Sequence, residues 1–341
     1  RNTPDPLRGL DRVGPVIAAA RRAGTTLLFD TGDLLQGTPM APLFKESPPE
    51  EHPACEAIAA LGYAAVTLGN HDFNFGLDSA TRLYDGMPCP VVQSNVLHNS
   101  GDPLFTQSAL LERQLRDDSG ADHVIKIGVF GVLPPQILNW DRAKLLGLVT
   151  VEDMVNSAKR TSENLRAQGA DLIVALAHTG PAGSPQPDGA ENRAHEIAAL
   201  PQVDVVLAGH SHKTLPSEDY AGLTEVNTVA ATMAGTPAMM PGAHGSHIGR
   251  MVLRLQKDGT CWRVIAHEAV LLPLQDHAPC PDLTAKLAPH HARTQRFITR
   301  RIATTDAPIS GTGFAFGYDA GQVLVAEAKR WRAGSQLHLD A

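Results

Sequence analysis

Residues 64–76 read AAVTLGNHDFNFG. An apolar run leads through Gly69 directly into Asn70, His71 and Asp72. The run has the length and β-branched content of a strand buried on both faces. Three adjacent polar side chains at the exit of a buried strand have little structural use, so they point to chemistry.

Working outward, other runs repeat this arrangement. TLLFD (26–30), VIKIGVFGV (124–132), DLIVALAH (171–178) and DVVLAG (204–209) also read as buried strands. Helical patterns separate them. In residues 9–23, Leu10, Val13, Ile17 and Ala20 share one face. In residues 151–168, Val151, Met154, Val155, Ala158 and Leu165 do so, with Thr150 as the expected N-cap, Asp153 three residues on and Gly169 closing the helix. Strand alternating with helix predicts an α/β layered core. Residues 248–272 then read as two strands joined by a KDG turn. Residues 282–298 read as a long helix, and a further helical pattern starts near Tyr318. The loop PAGSPQPDG (181–189) has turn composition.

The chain has 341 residues, 43% hydrophobic and 19% charged, with a formal net charge of -7. Length predicts two domains, or one large domain with an appendage. The acidic balance argues against a nucleic-acid polymer as partner, because phosphate backbones need a basic surface. No apolar run approaches the ~20 residues of a membrane span. Cys55, Cys89, Cys261 and Cys280 show no CxxC pairing, which disfavours a zinc ribbon. Their spacing leaves both free thiols and disulfides open.

The strand exits deliver Asp33, then Asn70, His71 and Asp72, then His178, then His210 and His212. Ligands of open α/β sheets bind outside the carboxyl ends of the strands. Imidazole and carboxylate together suit divalent transition metals. A carboxylate can bridge two such ions, which together clamp the attacking and leaving oxygens of phosphoryl transfer. In this reading Asn70 binds metal, His71 is a general acid and Asp72 orients it. His244 and His247 read as part of a Gly-rich turn, and Glu191 and Asn192 as helix N-terminal residues. Asp204 reads as a strand-entry residue. His52, His98, His195, His290 and His291 read as solvated.

The order GD-x-x-QG (32–37), GNHD (69–72), AH-x-G (177–180) and GH-x-H (209–212) resembles the calcineurin-like metallophosphoesterases. GNHDFNFGLD, GVLPPQILNWD, GHSHKTLPSEDYAG and PAMMPGAHGSHIG resemble more narrowly the bacterial 2',3'-cyclic-nucleotide 2'-phosphodiesterase/3'-nucleotidases, relatives of the 5'-nucleotidases. The resemblance implies a four-layer αββα sandwich. It implies that Asp33 bridges two divalent ions of the Mn, Zn, Fe, Co or Mg class. Asn70, His178 and His210 would complete one site, His212 would serve the other, and His71 with Asp72 would form an acid dyad. A metal-bridging hydroxide would attack the phosphorus of a nucleotide or cyclic nucleotide, in an exported or periplasmic protein with no evident protein partner. A 5'-nucleotidase or UDP-sugar hydrolase, and a catalytically impaired fragment with one metal site, are the alternatives.

Two departures bear on this. The family's first motif, Asp-x-His on a strand, has no counterpart here, and residues 1–30 contain no His. The second metal site is therefore expected to be incomplete. The family's C-terminal domain stacks the nucleobase. The expected organisation is a catalytic domain over 1–281, a linker helix over 282–300, and the start of a truncated nucleotide-binding domain over 301–341.

Overall fold

The structure, a computed structural model, describes residues 8–259, 261–306, 308–309 and 319–337. Its strands in chain order are β1 (Phe29–Asp30), β2 (Ala65–Val66), β3 (Val96–His98), β4 (Ser108–Arg116), β5 (Asp122–Val132), β6 (Val149–Val151) and β7 (Leu172–Ala177). They continue with β8 (Val205–Ala208), β9 (Thr214–Leu215), β10 (Val226–Asn227), β11 (Thr232–Met233), β12 (Thr236–Pro241), β13 (His247–Asp258) and β14 (Cys261–Pro273). The helices are α1 (Val13–Ala23), α2 (Ala41–Phe44), α3 (Pro53–Leu61), α4 (Leu77–Asp85), α5 (Ile137–Trp140), α6 (Arg142–Leu145), α7 (Met154–Ala167), α8 (Ala194–Ala198), α9 (Pro281–Ile298) and α10 (Ala320–Leu337).

Side chains alternate across a strand, so each buried strand feeds two cores. The large mixed sheet runs β10-β11-β12-β8-β7-β5-β4, with β9 on β12. On one face Phe130, Val132, Ile173 and Ala175 pack against Met154, Ala158 and Leu165 of α7 and Ile197 of α8. On the other, Val129, Val174 and Leu176 meet Ala65, Val92 and Phe29, together with Met251, Leu253 and Val264 of the β13–β14 hairpin. The far side of that second strand layer places Val66 and Leu68 against Ile58 of α3, Leu83 of α4 and Ile137 of α5. Helix, sheet, sheet and helix therefore follow one another, the four-layer αββα order. The second layer is assembled from two-stranded pieces, β1–β2, β3–β6 and β13–β14.

The helix over 154–167 is capped by Asp153, not Thr150. The Asp153 carboxylate accepts from Val155 N and Asn156 N at 3.0 Å each, while Thr150 lies inside β6. An Asp at the N-cap satisfies free N–H groups with a full negative charge, which the helix dipole favours. The KDG turn appears as expected, with Gly259 at φ 61° between β13 and β14. The four cysteines are free, Cys55 buried and Cys261 exposed. No helix among the described residues is long and apolar enough to cross a membrane.

The chain divides into compact units over 1–295 and 296–341. In the first, Leu283 of α9 is buried in the cluster formed by Val13, Ile17, Ala57 and Leu61. In the second, α10 presents Val323, Leu324, Val325 and Trp331 to solvent.

The two sheet layers approach each other closely at Gly131. Its carbonyl accepts from Ser94 N and Ser94 Oγ, both at 2.8 Å, and a Cβ there would overlap Thr67 Oγ1 and Val92 O. Neither obstacle is a flexible side-chain end. On the α7 side, a Cβ at Gly128 would meet only Leu165 methyls and Ala170 Cβ, at 3.0–3.2 Å. Gly131→Ala should therefore cost roughly 1–3 kcal/mol of overpacking. Gly128→Ala should cost clearly less. Urea midpoints of the two variants check this, and equal midpoints would contradict the close approach.

Candidate metal and phosphoester site

The site lies where β1, β2, β7 and β8 end. Alternation along β7 puts Leu172, Val174 and Leu176 on the inter-sheet face, so His178 emerges on that face too, 2% exposed. Gly69 ends the β2 segment beneath it, and a Cβ at Gly69 would overlap Asp33 Oδ1 and His178 Cε1. Asp33, His210 and His212 have φ of 62°, 72° and 59°. Left-handed backbone at non-glycine residues costs of order 1–3 kcal/mol each and persists where the surroundings enforce it, commonly at functional sites.

Four donors converge. Asp33 Oδ1 accepts from His71 N at 2.8 Å, and Asp33 Oδ2 lies 3.2 Å from His178 Nε2. Asn70 Oδ1 lies 3.1 Å from His178 Nε2 and 2.9 Å from His210 Nδ1. The outer nitrogens fix the tautomers. His178 Nδ1 is 2.7 Å from the Thr31 carbonyl, an acceptor only, so Nδ1 carries the hydrogen. His210 Nε2 is 2.7 Å from Glu191 Oε1 and likewise donates. In the neutral rings the lone pairs of His178 Nε2 and His210 Nδ1 then face Asn70 Oδ1, with Asp33 Oδ2 beside His178. Such a cluster needs a cation or an added proton. A ligating His held through its other nitrogen by a carbonyl or carboxylate is the usual support of a metal ligand. The donor set of carboxylate, amide oxygen and two imidazoles fits a divalent transition metal. Among the described residues no group of three or more His, Cys, Asp or Glu side chains is arranged to hold a metal ion, and Asn70 is the further donor beside Asp33, His178 and His210.

The charges agree with this. Burial works against ionised Asp33, but the hydrogen bond and charge of His178 outweigh it and hold the carboxyl below its ordinary range. Burial also opposes charge on His178, and Asp33 overcomes it, raising His178 net. Burial, then the neighbouring His178, lowers His210. A bound cation would take the place of the proton His178 attracts.

His71 and Asp72 do not form the expected pair. Asp72 is 1% exposed, and its carboxylate accepts from Asp33 N at 2.9 Å, Leu35 N at 2.8 Å and Gly69 N at 2.7 Å. It clamps the two loops that carry Asp33 and Asn70. The reason is local. Residues 70–73 form a 3-10 turn, which sends adjacent side chains in different directions and brings position i+3 beside position i. The partner of His71 is accordingly Asn74, with Oδ1 2.8 Å from Nδ1.

The His212 ring lies edge-on to that of His244, with centroids 5.4 Å apart. The expected turn residue His244 is thus the neighbour of His212. Glu191, expected at a helix N-terminus, instead holds His210. Trp140 stacks on His210 with centroids 5.6 Å apart. Asn74, Glu191 and Trp140 are the residues missed from sequence. Only Asn74 carried a local signal, its i+3 spacing from His71. Among residues expected to be solvated, His52 and His195 are 3% and 1% exposed, and His290 Nε2 pairs with Glu56 at 2.9 Å. Asp204 accepts from Ile173 N at the strand entry as expected.

Loss of a donor should release the cation. His178→Ala or Asn70→Ala should bind less than about one-tenth of the wild-type Mn²⁺ or Zn²⁺, measured by elemental analysis after desalting, in line with the large affinity cost of losing ligands. Unchanged metal content would remove that residue from the ligand set. The pH dependence has a defined sign. Burial pushes Asp72 up to about 6 and Asp30 up to about 7, from an ordinary 3.8. Raised folded-state values mean stability that is full below the unfolded value and is lost as pH rises through about 6 and about 7. In the metal-free protein Asp30→Asn should therefore raise the melting temperature more at about pH 8 than at about pH 5, because wild-type Asp30 loses its contribution across that range. An equal calorimetric shift at both pH values would contradict it.

The sequence profile described as Calcineurin-like phosphoesterase matches residues 5–214. The chain is 33% identical over 340 residues to the trifunctional nucleotide phosphoesterase protein YfkN of Bacillus subtilis, covering 96% of this chain and 23% of that one. It is 35% identical over 308 residues to the 2',3'-cyclic-nucleotide 2'-phosphodiesterase/3'-nucleotidase of Yersinia enterocolitica, covering 87% of this chain and 47% of that one. The chain thus spans about half or less of the length of these curated relatives. The crystal structure of calcineurin-like phosphoesterase YfkN from Bacillus subtilis superposes with a TM-score of 0.83 at 33% identity, over 87% of this chain and 92% of that one. A putative 5'-nucleotidase from Staphylococcus aureus shares the fold, with a TM-score of 0.70 at 20% identity over 93% of this chain and 58% of that one. Profile, relatives and superposition agree with the geometry at the strand ends: the chain belongs to the calcineurin-like phosphoesterases.

Proposed function

We propose that this chain carries the phosphoester-cleaving site of a metal-dependent 2',3'-cyclic-nucleotide 2'-phosphodiesterase and 3'-nucleotidase. The observation that carries the reading is the convergence of Asp33, Asn70, His178 and His210 lone pairs beside a histidine, His71, whose ring is held through Nδ1. Relatives at about 35% identity bear that name, which supports the substrate class.

Enzymes of this family use divalent ions, generally two. Asp33, Asn70, His178 and His210 would hold one, and His212 would serve a second. Bound ions would polarise the phosphoryl oxygens and make water a stronger nucleophile at neutral pH. The chain's own residues do the rest. The Thr31 carbonyl and Glu191 keep the two ligand imidazoles in their binding tautomers. His71, with Nδ1 donating to Asn74, would as imidazolium give its Nε2 proton to the ribose oxygen as the P–O bond breaks, leaving the neutral Nδ1–H ring. Opening of a 2',3'-cyclic phosphate by water then yields a 3'-nucleotide, whose own ester is the second substrate.

We assign residues 1–281 to the catalytic domain, 282–300 to a linker helix, and 301–341 to the start of a nucleotide-binding domain. We place the protein outside the cytoplasm, as the resemblance implies. The second reading is a 5'-nucleotidase, supported by the fold it shares with the Staphylococcus aureus protein.

With Mn²⁺ supplied, turnover of 2',3'-cyclic AMP and 3'-AMP should exceed that of 5'-AMP, and the reverse order would favour the second reading. His71→Ala should lower kcat by roughly 10²–10⁴-fold with metal content unchanged. Full activity in that variant would falsify the acid assignment.

A further inference from the structure

One short segment, Gln136–Asp141, reaches the site at three points. Gln136 Nε2 donates to the Gly189 carbonyl at 2.8 Å, on the loop that leads to Glu191. Trp140 lies over His210, with 28° between the ring planes. Asp141 Oδ2 accepts from Asn74 Nδ2 at 2.7 Å, and Asn74 Oδ1 is the partner of His71 Nδ1.

We propose that Asp141 is a positioning residue for His71, acting through the Asn74 amide. The inference rests on the reading of His71 as general acid. An amide presents a carbonyl at one end and an NH₂ at the other, in nearly the same shape. Turned one way, Asn74 holds the Nδ1 hydrogen, so that the doubly protonated ring gives its Nε2 proton to the ribose oxygen and is left as the neutral Nδ1–H form. Turned the other way, it would make Nδ1 an acceptor and leave the neutral ring its hydrogen on Nε2. An ionised carboxylate only accepts, so Asp141 selects the NH₂ end and directs the carbonyl to His71. The polarity of the chain is thereby fixed, from His71 through Asn74 to Asp141.

A plain helix-capping role does not account for Asp141. It sits at the N-cap position of α6, yet its side chain makes no capping hydrogen bond. The side chain is 5% exposed, so the carboxylate carries a desolvation cost. Its two oxygens go to Asn74 and to Lys144 Nζ, the latter at 2.7 Å. Lys144 compensates the charge from the more exposed side. Asp141 touches none of the four metal donors, so its influence on the site passes through Asn74.

The test compares Asp141→Ala and Asp141→Asn in the Zn²⁺-loaded chain. One readout is the His71 tautomer, from ¹⁵N-labelled histidine NMR; the other is turnover of 2',3'-cyclic AMP. Wild type should show the Nδ1–H form. Asp141→Ala should lose its predominance and drop kcat about 10- to 100-fold with KM little changed, as for a mispositioned catalytic group. Asp141→Asn should lose the Nδ1–H predominance as well, because Lys144 Nζ, a donor only, takes the new amide oxygen and turns its NH₂ end toward Asn74. In an Asn74→Ala background, Asp141→Ala should add nothing further. Wild-type kcat and tautomer in either Asp141 variant, or full additivity with Asn74→Ala, would each overturn the proposal. If the wild-type chain turns over no nucleotide, the functional reading fails, and the tautomer measurement still decides the positioning. Should Asp141→Ala not fold, Asn74→Ala supplies the same tautomer test, with loss supporting the relay and retention overturning it.

Discussion

The Asp33 carboxylate joins the two strand layers. One oxygen takes the His71 N–H on the loop after β2, and the other lies 3.2 Å from His178 at the end of β7. A buried carboxylate is costly unless hydrogen-bonded or paired, so everything that brings β1, β2 and β7 together must also supply its partners. Gly69 is required beneath it because any Cβ would strike both Asp33 and His178. Gly131 serves the same end within the sheet, letting Thr67 and Val92 of the second layer lie against β5. The close approach of the layers and the convergence of donors are one constraint seen at two places.

Around this contact the structure separates two kinds of carboxylate. Asp72 is spent on three backbone N–H groups and makes the loops rigid. Glu191 and Asp141 each act on an imidazole, Glu191 directly on His210 and Asp141 through Asn74 on His71. Tautomer control by an outer partner is what distinguishes a histidine poised for a metal or a proton from one that merely fills space. His195 gives the contrast. It is 1% exposed, but its Nδ1 accepts from the Ala182 N–H at 3.3 Å, its Nε2 has no hydrogen-bond partner among the described residues, and burial lowers its pKa.

Much of this was legible in the sequence. The buried strands, the β13–β14 hairpin, the helix over 154–167 and the strand-end positions of Asp33, Asn70, His71, Asp72, His178, His210 and His212 all follow from periodicity and punctuation. Sequence does not decide the cap of α7, because Thr150 and Asp153 are both good caps and only the end of β6 sets where the helix begins. Nor does it give the partner of His71, because adjacency in sequence is not adjacency in space. A 3-10 turn makes the third residue on, Asn74, the neighbour.

The sequence by itself determined the layered α/β architecture and the donor types at the strand ends, since strand alternation and turn chemistry are local. Only the tertiary structure decided which donors meet and what stands behind them. Glu191 lies 19 residues before His210, and Asp141 lies 67 residues after Asn74. Hydrogen bonds over such separations leave no periodic trace in the chain. They exist because two sheets pack face to face and bring distant loops within 3 Å of each other.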